Sequence, residues 1–137
     1  MNYEGAKKFI LHKLEKELDP RLTYHSLAHT LDVLESAVRI AEMEKIPAKD
    51  ILLLKTACLF HDSGMLVTYR GHEEASVEIC RHTLPQFNYN EEDTETVCNM
   101  IKTTQLPQCA VGISDKILCD ADLDYLGRPD FFMIAHR

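Results

Sequence analysis

No apolar stretch in these 137 residues approaches the ~20 needed to cross a bilayer as a helix. The opening residues, Met1-Asn2-Tyr3-Glu4-Gly5-Ala6-Lys7-Lys8, also lack the apolar core of a signal peptide. A membrane partner and a secretory leader are therefore not expected, and the cytoplasm is the expected compartment. Gly-rich, Pro-rich and single-residue tracts are missing, so nothing indicates a linker or a disordered segment. Basic excess is missing as well. The net charge of -7 opposes attachment to a nucleic-acid polymer or an anionic membrane, because neither polyanion gains counterion-release energy from an acidic surface. The five cysteines are odd in number and include no Cys-x-x-Cys, which disfavours a disulfide framework and a thiolate zinc knuckle and leaves buried thiols. Sustained period-two alternation with β-branched enrichment is absent too, which argues against a sheet.

What is present is helical periodicity on a chain long enough for one core and too short for two. Residues 1–137 are expected to form a single domain, an all-α bundle of about six helices without significant sheet. Ala6, Phe9, Ile10, Leu14 and Leu18 make one stripe of a first helix that Pro20 ends. Leu27, Leu31, Leu34, Val38 and Ala41 make the stripe of a second, which stops before Pro47. From Ala48 to Phe60 the chain is apolar nearly all round, as a central helix would be, with Gly64 as its stop. Met65 to Gly71 reads as a loop. Glu73 to Leu84 reads as a helix closed by Pro85, with His72 as the alternative first residue. Asn90 caps another helix running to about Thr104, and Ser114 caps Asp115 to Leu126, which Gly127 terminates.

Against this frame stand a few imidazoles and carboxylates of the kind that bind divalent ions. His25 and His29 are four apart and share a helix face if the helix begins by Tyr24; either alone could simply cap a helix or face water. The pair His61-Asp62 follows an apolar helix, where an imidazole and a carboxylate are costly unless paired, coordinated or open to water. Ile117, Asp120, Ala121 and Asp124 fall on one face of their helix, with Asp122 rotated away, so Asp120 is able to face inward.

The ordered set His29, His61-Asp62, Asp120 in an all-helical setting resembles the HD superfamily of metal-dependent phosphohydrolases. The resemblance spans roughly residues 23–130 and is carried by Tyr24-His25-Ser26-Leu27-Ala28-His29-Thr30, Leu59-Phe60-His61-Asp62-Ser63-Gly64 and Leu118-Cys119-Asp120-Ala121-Asp122. It implies that His29, His61, Asp62 and Asp120 ligate one divalent metal, which could be Mn, Fe, Zn, Ni, Co or Mg. His25 resembles the histidine that donates a proton to the leaving group in the superfamily's cyclic-nucleotide phosphodiesterases, a task suited to an imidazole. His72 resembles the extra ligand of binuclear members, so a second metal follows if it is a ligand. The chain departs from those members at Thr103-Thr104, where they carry further histidines. It also departs from nucleotide-hydrolysing branches at Met65, where an acid or a lysine is common.

The function implied is hydrolysis of a phosphate ester or anhydride in a nucleotide or other small phosphorylated metabolite. Metal-activated water held by Asp62 would attack, and His25 or His72 would protonate the leaving oxygen. Glu73 or Glu74 could stand in for the acid missing at Met65, and Lys102, Arg70 and Arg128 are candidate phosphate clamps. Two alternatives remain open: a non-catalytic nucleotide-binding or signalling HD module, and an iron-dependent oxygenase. The apolar Phe131-Phe132-Met133-Ile134 near the end needs cover from the domain, from another subunit as in a homo-oligomer, or from further sequence.

Overall fold

A computed structural model describes residues 1–17, 27–68, 70–103 and 112–124. Among them are six α-helices and no strand: α1 (Tyr3–Glu17), α2 (Leu27–Met43), α3 (Ala48–Phe60), α4 (His72–Thr83), α5 (Glu91–Lys102) and α6 (Ile113–Asp124). Short 3-10 turns occupy Ser63–Leu66 and Leu84–Phe87. The expected all-α bundle is what forms. No helix among the described residues is long and apolar enough to cross a membrane.

Helix α3 is the axis of the bundle and touches each of the other helices. Its even apolarity accounts for this, since Leu53, Leu54, Ala57, Cys58, Leu59 and Phe60 are all buried, on more than one face. Burying a side chain such as Leu54 or Phe60 contributes about 1.5–3 kcal/mol, so this helix supplies much of the core that fixes its own C-terminal end. Helix α2 lies against α3 and α6, α4 against α5 and the first 3-10 turn, and α1 against α3 and both turns.

Several expectations shift on inspection. In α2 the buried face is His29, Thr30, Val33, Ser36, Ala37 and Ala41, whereas Leu31 is exposed and Leu34 and Val38 are only half-buried. Packing of α2 against both α3 and α6 sets this buried arc, and the rotation turns His29 inward. Gly64 does not stop α3 through a left-handed turn. It lies inside the 3-10 turn that replaces the start of the expected loop. Ser114 is not the cap of α6, which begins one residue earlier at Ile113; the Gly112 N–H instead donates to Asp115 Oδ2 at 3.2 Å. Asn90 does cap α5, accepting from the Asp93 N–H at 2.7 Å. The four described cysteines are buried and form no disulfide with one another. Leu18, Pro20, Gly127 and the expected terminal helix Phe131 to Ile134 lie outside the described residues.

Candidate metal centre

The end of α3 converts an apolar helix into a polar turn. His61 is still helical in backbone (φ -60, ψ -30) and Asp62 turns away from it (φ -109, ψ 9). Both are buried, as is His29 in the first turn of α2. His61 Nδ1 is 2.7 Å from the Cys58 carbonyl. A carbonyl only accepts, so Nδ1 carries the proton and the Nε2 lone pair of neutral His61 is left to the site. Ser63 Oγ donates to the Phe60 carbonyl at 2.7 Å and tightens the same turn.

Asp62 Oδ2 is 3.5 Å from His61 Nε2 and 3.6 Å from His29 Nε2. The two imidazole rings meet edge to face with centroids 5.5 Å apart. One ligand atom from each of His29, His61 and Asp62 lies within 4.8 Å of the others, so the trio is able to hold a metal ion. The spacing fits: two N or O ligands each about 2.0–2.2 Å from one ion are about 3.0–3.5 Å apart at tetrahedral or octahedral angles. The donor set fits as well, because a buried carboxylate needs compensating positive charge and neutral imidazoles alone do not supply it. Among the described residues these three form the group of this kind.

The other carboxylate oxygen faces α4. His72 Nε2 is 3.1 Å from Asp62 Oδ1 and 2.9 Å from Glu73 Oε2. Helix α4 reaches this position because it runs hard against the 3-10 turn. A Cβ on Gly64 would fall 1.8 Å from the His72 carbonyl oxygen, so only glycine permits the approach. Ser76, one helical turn beyond His72, accepts a hydrogen bond from the Gly64 N–H at 2.7 Å and donates to the His61 carbonyl at 3.0 Å.

The remaining expected residues are placed less centrally. Asp120 is exposed, contrary to its expected inward facing. Helix α6 buries Ile117, Leu118, Cys119 and Ala121 instead, which leaves Asp120 at the edge of the packed face and outside the three-residue cluster. His25, Thr104 and Arg128 lie outside the described residues. Lys102 and Arg70 are exposed. Met65 is buried. Thr103 Oγ1 donates to the Met100 carbonyl at 2.6 Å and lies 3.5 Å from Cys119 Sγ. Glu73 is drawn to the site's edge by His72. Ser76 escaped notice in the sequence, although its spacing of four from His72 marks the same helix face.

The HD domain family matches residues 26–123. An uncharacterized protein of Clostridium beijerinckii is 34% identical over 84 residues, 59% of this chain and 53% of that protein. The chain thus spans about half the length of that curated relative. A crystal structure of a predicted HD superfamily hydrolase from an uncultured Thermotogales bacterium aligns with a TM-score of 0.71 at 26% identity, covering 89% of this chain and 67% of the other. The matched segment runs from the start of α2 into α6 and includes every member of the buried trio, and on that match the chain belongs to the HD domain family.

Proposed function

We propose that this protein is a metal-dependent phosphohydrolase acting on a phosphate ester or anhydride of a nucleotide or other small phosphorylated metabolite. The observation that carries the reading is the convergence of His29 Nε2, His61 Nε2 and Asp62 Oδ2 in a buried site. Kinship with the HD superfamily, whose solved Thermotogales member is a predicted hydrolase, supports it. When bound, a divalent ion supplies Lewis acidity, acidifying water and offsetting charge on a phosphoryl oxygen.

The chain's own residues account for the rest. His29, His61 and Asp62 hold the ion, and Asp120 on the neighbouring edge of α6 completes the set toward solvent, where an open hydrolytic site needs access. His61 is kept in the right tautomer by its bond to Cys58. Asp62 also orients the attacking water. His72, bonded to Asp62 Oδ1, donates a proton to the leaving oxygen, with His25 as the second candidate for that role. Glu73 steadies His72. Thr103, where binuclear relatives carry a histidine, has its hydroxyl bonded to Met100, which supports one ion over two unless His72 serves as a further ligand.

The test is a phosphate-release screen with metal-loaded protein over mononucleotides, dinucleotides and phosphosugars. Release from at least one class, abolished by chelation, is expected. Nucleotide binding without release under any divalent metal would overturn the reading and favour a non-catalytic nucleotide-binding or signalling module. The buried, uncharged Met65 after the His-Asp pair is the observation that favours that second reading.

A further inference from the structure

We infer that Ser76 is a positioning residue of the metal centre, whose hydroxyl decides where the two oxygens of Asp62 point. The inference rests on the metal-centre reading above and extends it to a residue that touches neither the ion site nor a substrate.

Serine inside a helix ordinarily donates back to the carbonyl four residues earlier, which here would be His72. Ser76 instead donates across to the His61 carbonyl at 3.0 Å and accepts from the Gly64 N–H at 2.7 Å. These two backbone groups flank Asp62. One hydroxyl therefore clamps the turn on both sides of the carboxylate, and it does so from a fully buried position where no water can substitute. The same helix carries His72 one turn earlier, at 3.1 Å from Asp62 Oδ1. The bare Cα of Gly64 lets the two segments close to this distance. The result is a division of labour within one carboxylate: Oδ2 faces His29 and His61 while Oδ1 faces His72. The backbone clamp removes the turn's freedom to swing both oxygens away together, and the contacts of Oδ1 and Oδ2 then set the carboxylate's own rotation. Partners of this indirect kind typically alter metal affinity by about 10–100-fold when removed.

The experiment compares Ser76→Ala and Ser76→Cys with Val77→Ala. Val77 is the adjacent fully buried residue of α4, and truncating its aliphatic side chain loosens the same helix without removing a hydrogen bond to the turn. Cysteine nearly preserves serine's shape while offering only a weak donor and acceptor, so it decides the matter if the alanine variant does not fold. Each protein is stripped of metal and titrated with Co2+, reading the dissociation constant, the visible absorption of bound cobalt and the melting temperature. Ser76→Ala should bind cobalt about tenfold or more weakly with an altered spectrum, and Ser76→Cys should shift in the same direction. Val77→Ala should melt at a lower temperature yet keep the wild-type affinity and spectrum. Wild-type affinity and spectrum in either serine variant would overturn the inference. An equal loss in Val77→Ala would also overturn it, by reducing Ser76 to general support of the helix. Failure of wild-type protein to bind cobalt would overturn the metal centre itself, and the inference with it.

Discussion

Two clusters of buried polar side chains hang on helix α3, and they differ in chemistry rather than in burial. At its C-terminal end, His61 and Asp62 meet His29 and His72. Nearer its middle, Thr56 Oγ1 lies 2.6 Å from the Tyr89 hydroxyl and donates to the Leu52 carbonyl at 2.8 Å. A threonine has one hydroxyl proton, so Tyr89 is the donor in that pair. Tyr3 is buried alongside, with no hydrogen-bond partner for its hydroxyl among the described residues. Burial pushes the Tyr3 and Tyr89 phenols above their ordinary value of 10.0, and burial also pushes the Cys80 thiol up. The middle cluster is therefore held neutral, and its Thr56–Tyr89 pair satisfies itself. The end cluster gathers an anion and imidazole lone pairs around a common point. Being buried and polar is no sign of function; carrying ligand atoms that converge is.

Substitutions at the two clusters should separate them, and the largest effect belongs to the ligands. His61→Ala and Asp62→Ala should lose bound metal below detection by elemental analysis, while Thr56→Ala keeps a full complement. Metal retained by Asp62→Ala would erase the distinction. Gly64→Ala comes next. Its new Cβ would lie 1.8 Å from the His72 carbonyl oxygen, so α4 must withdraw, at a cost of about 3 kcal/mol in urea unfolding. A loss below about 0.5 kcal/mol would mean that the turn and helix are not held so close.

Smaller effects are expected in the middle cluster, with no change in metal content. Tyr89→Phe removes a donor from Thr56 and should cost about 1 kcal/mol. A phenol whose folded value is raised contributes stability that is complete below its unfolded value of about 10 and is lost as pH rises through the folded one. Wild-type stability should thus decline above about pH 10, and less steeply in Tyr89→Phe; identical slopes in urea melts would contradict the assignment. Tyr3→Phe should be the mildest, within about 0.5 kcal/mol of wild type or slightly stabilising, because the lost hydroxyl has no partner among the described residues.

Much of this architecture was legible in the sequence. The apolar uniformity of α3 announced a central helix, Asn90 announced the start of α5, and His61-Asp62 stood out as polar residues at the end of an apolar run. Facing was harder to read. In α2 the expected stripe was Leu27, Leu31, Leu34, Val38 and Ala41; Ala41 is buried, but packing against both α3 and α6 selects His29, Val33 and Ala37 in place of the larger aliphatics. The facing of Asp120 was hard to read for a related reason: it neighbours Ile117 and Ala121 on the helix, yet the packed arc stops short of it and leaves it exposed. Gly64 looked like a helix terminator, and only the proximity of α4 reveals that it is a point of close approach. Ser76 was invisible because both its partners are backbone groups from another segment, which no local pattern encodes.

On the proposed function, hydrolysis belongs to the buried trio and its ion. The most direct measurement is to prepare protein at graded metal loading and read phosphate release and bound metal on the same samples. Turnover should rise in proportion to occupancy and level off at one ion per chain, with Asp62→Asn flat at every loading. Phosphate release that persists in fully stripped protein, or that Asp62→Asn retains, would contradict the account.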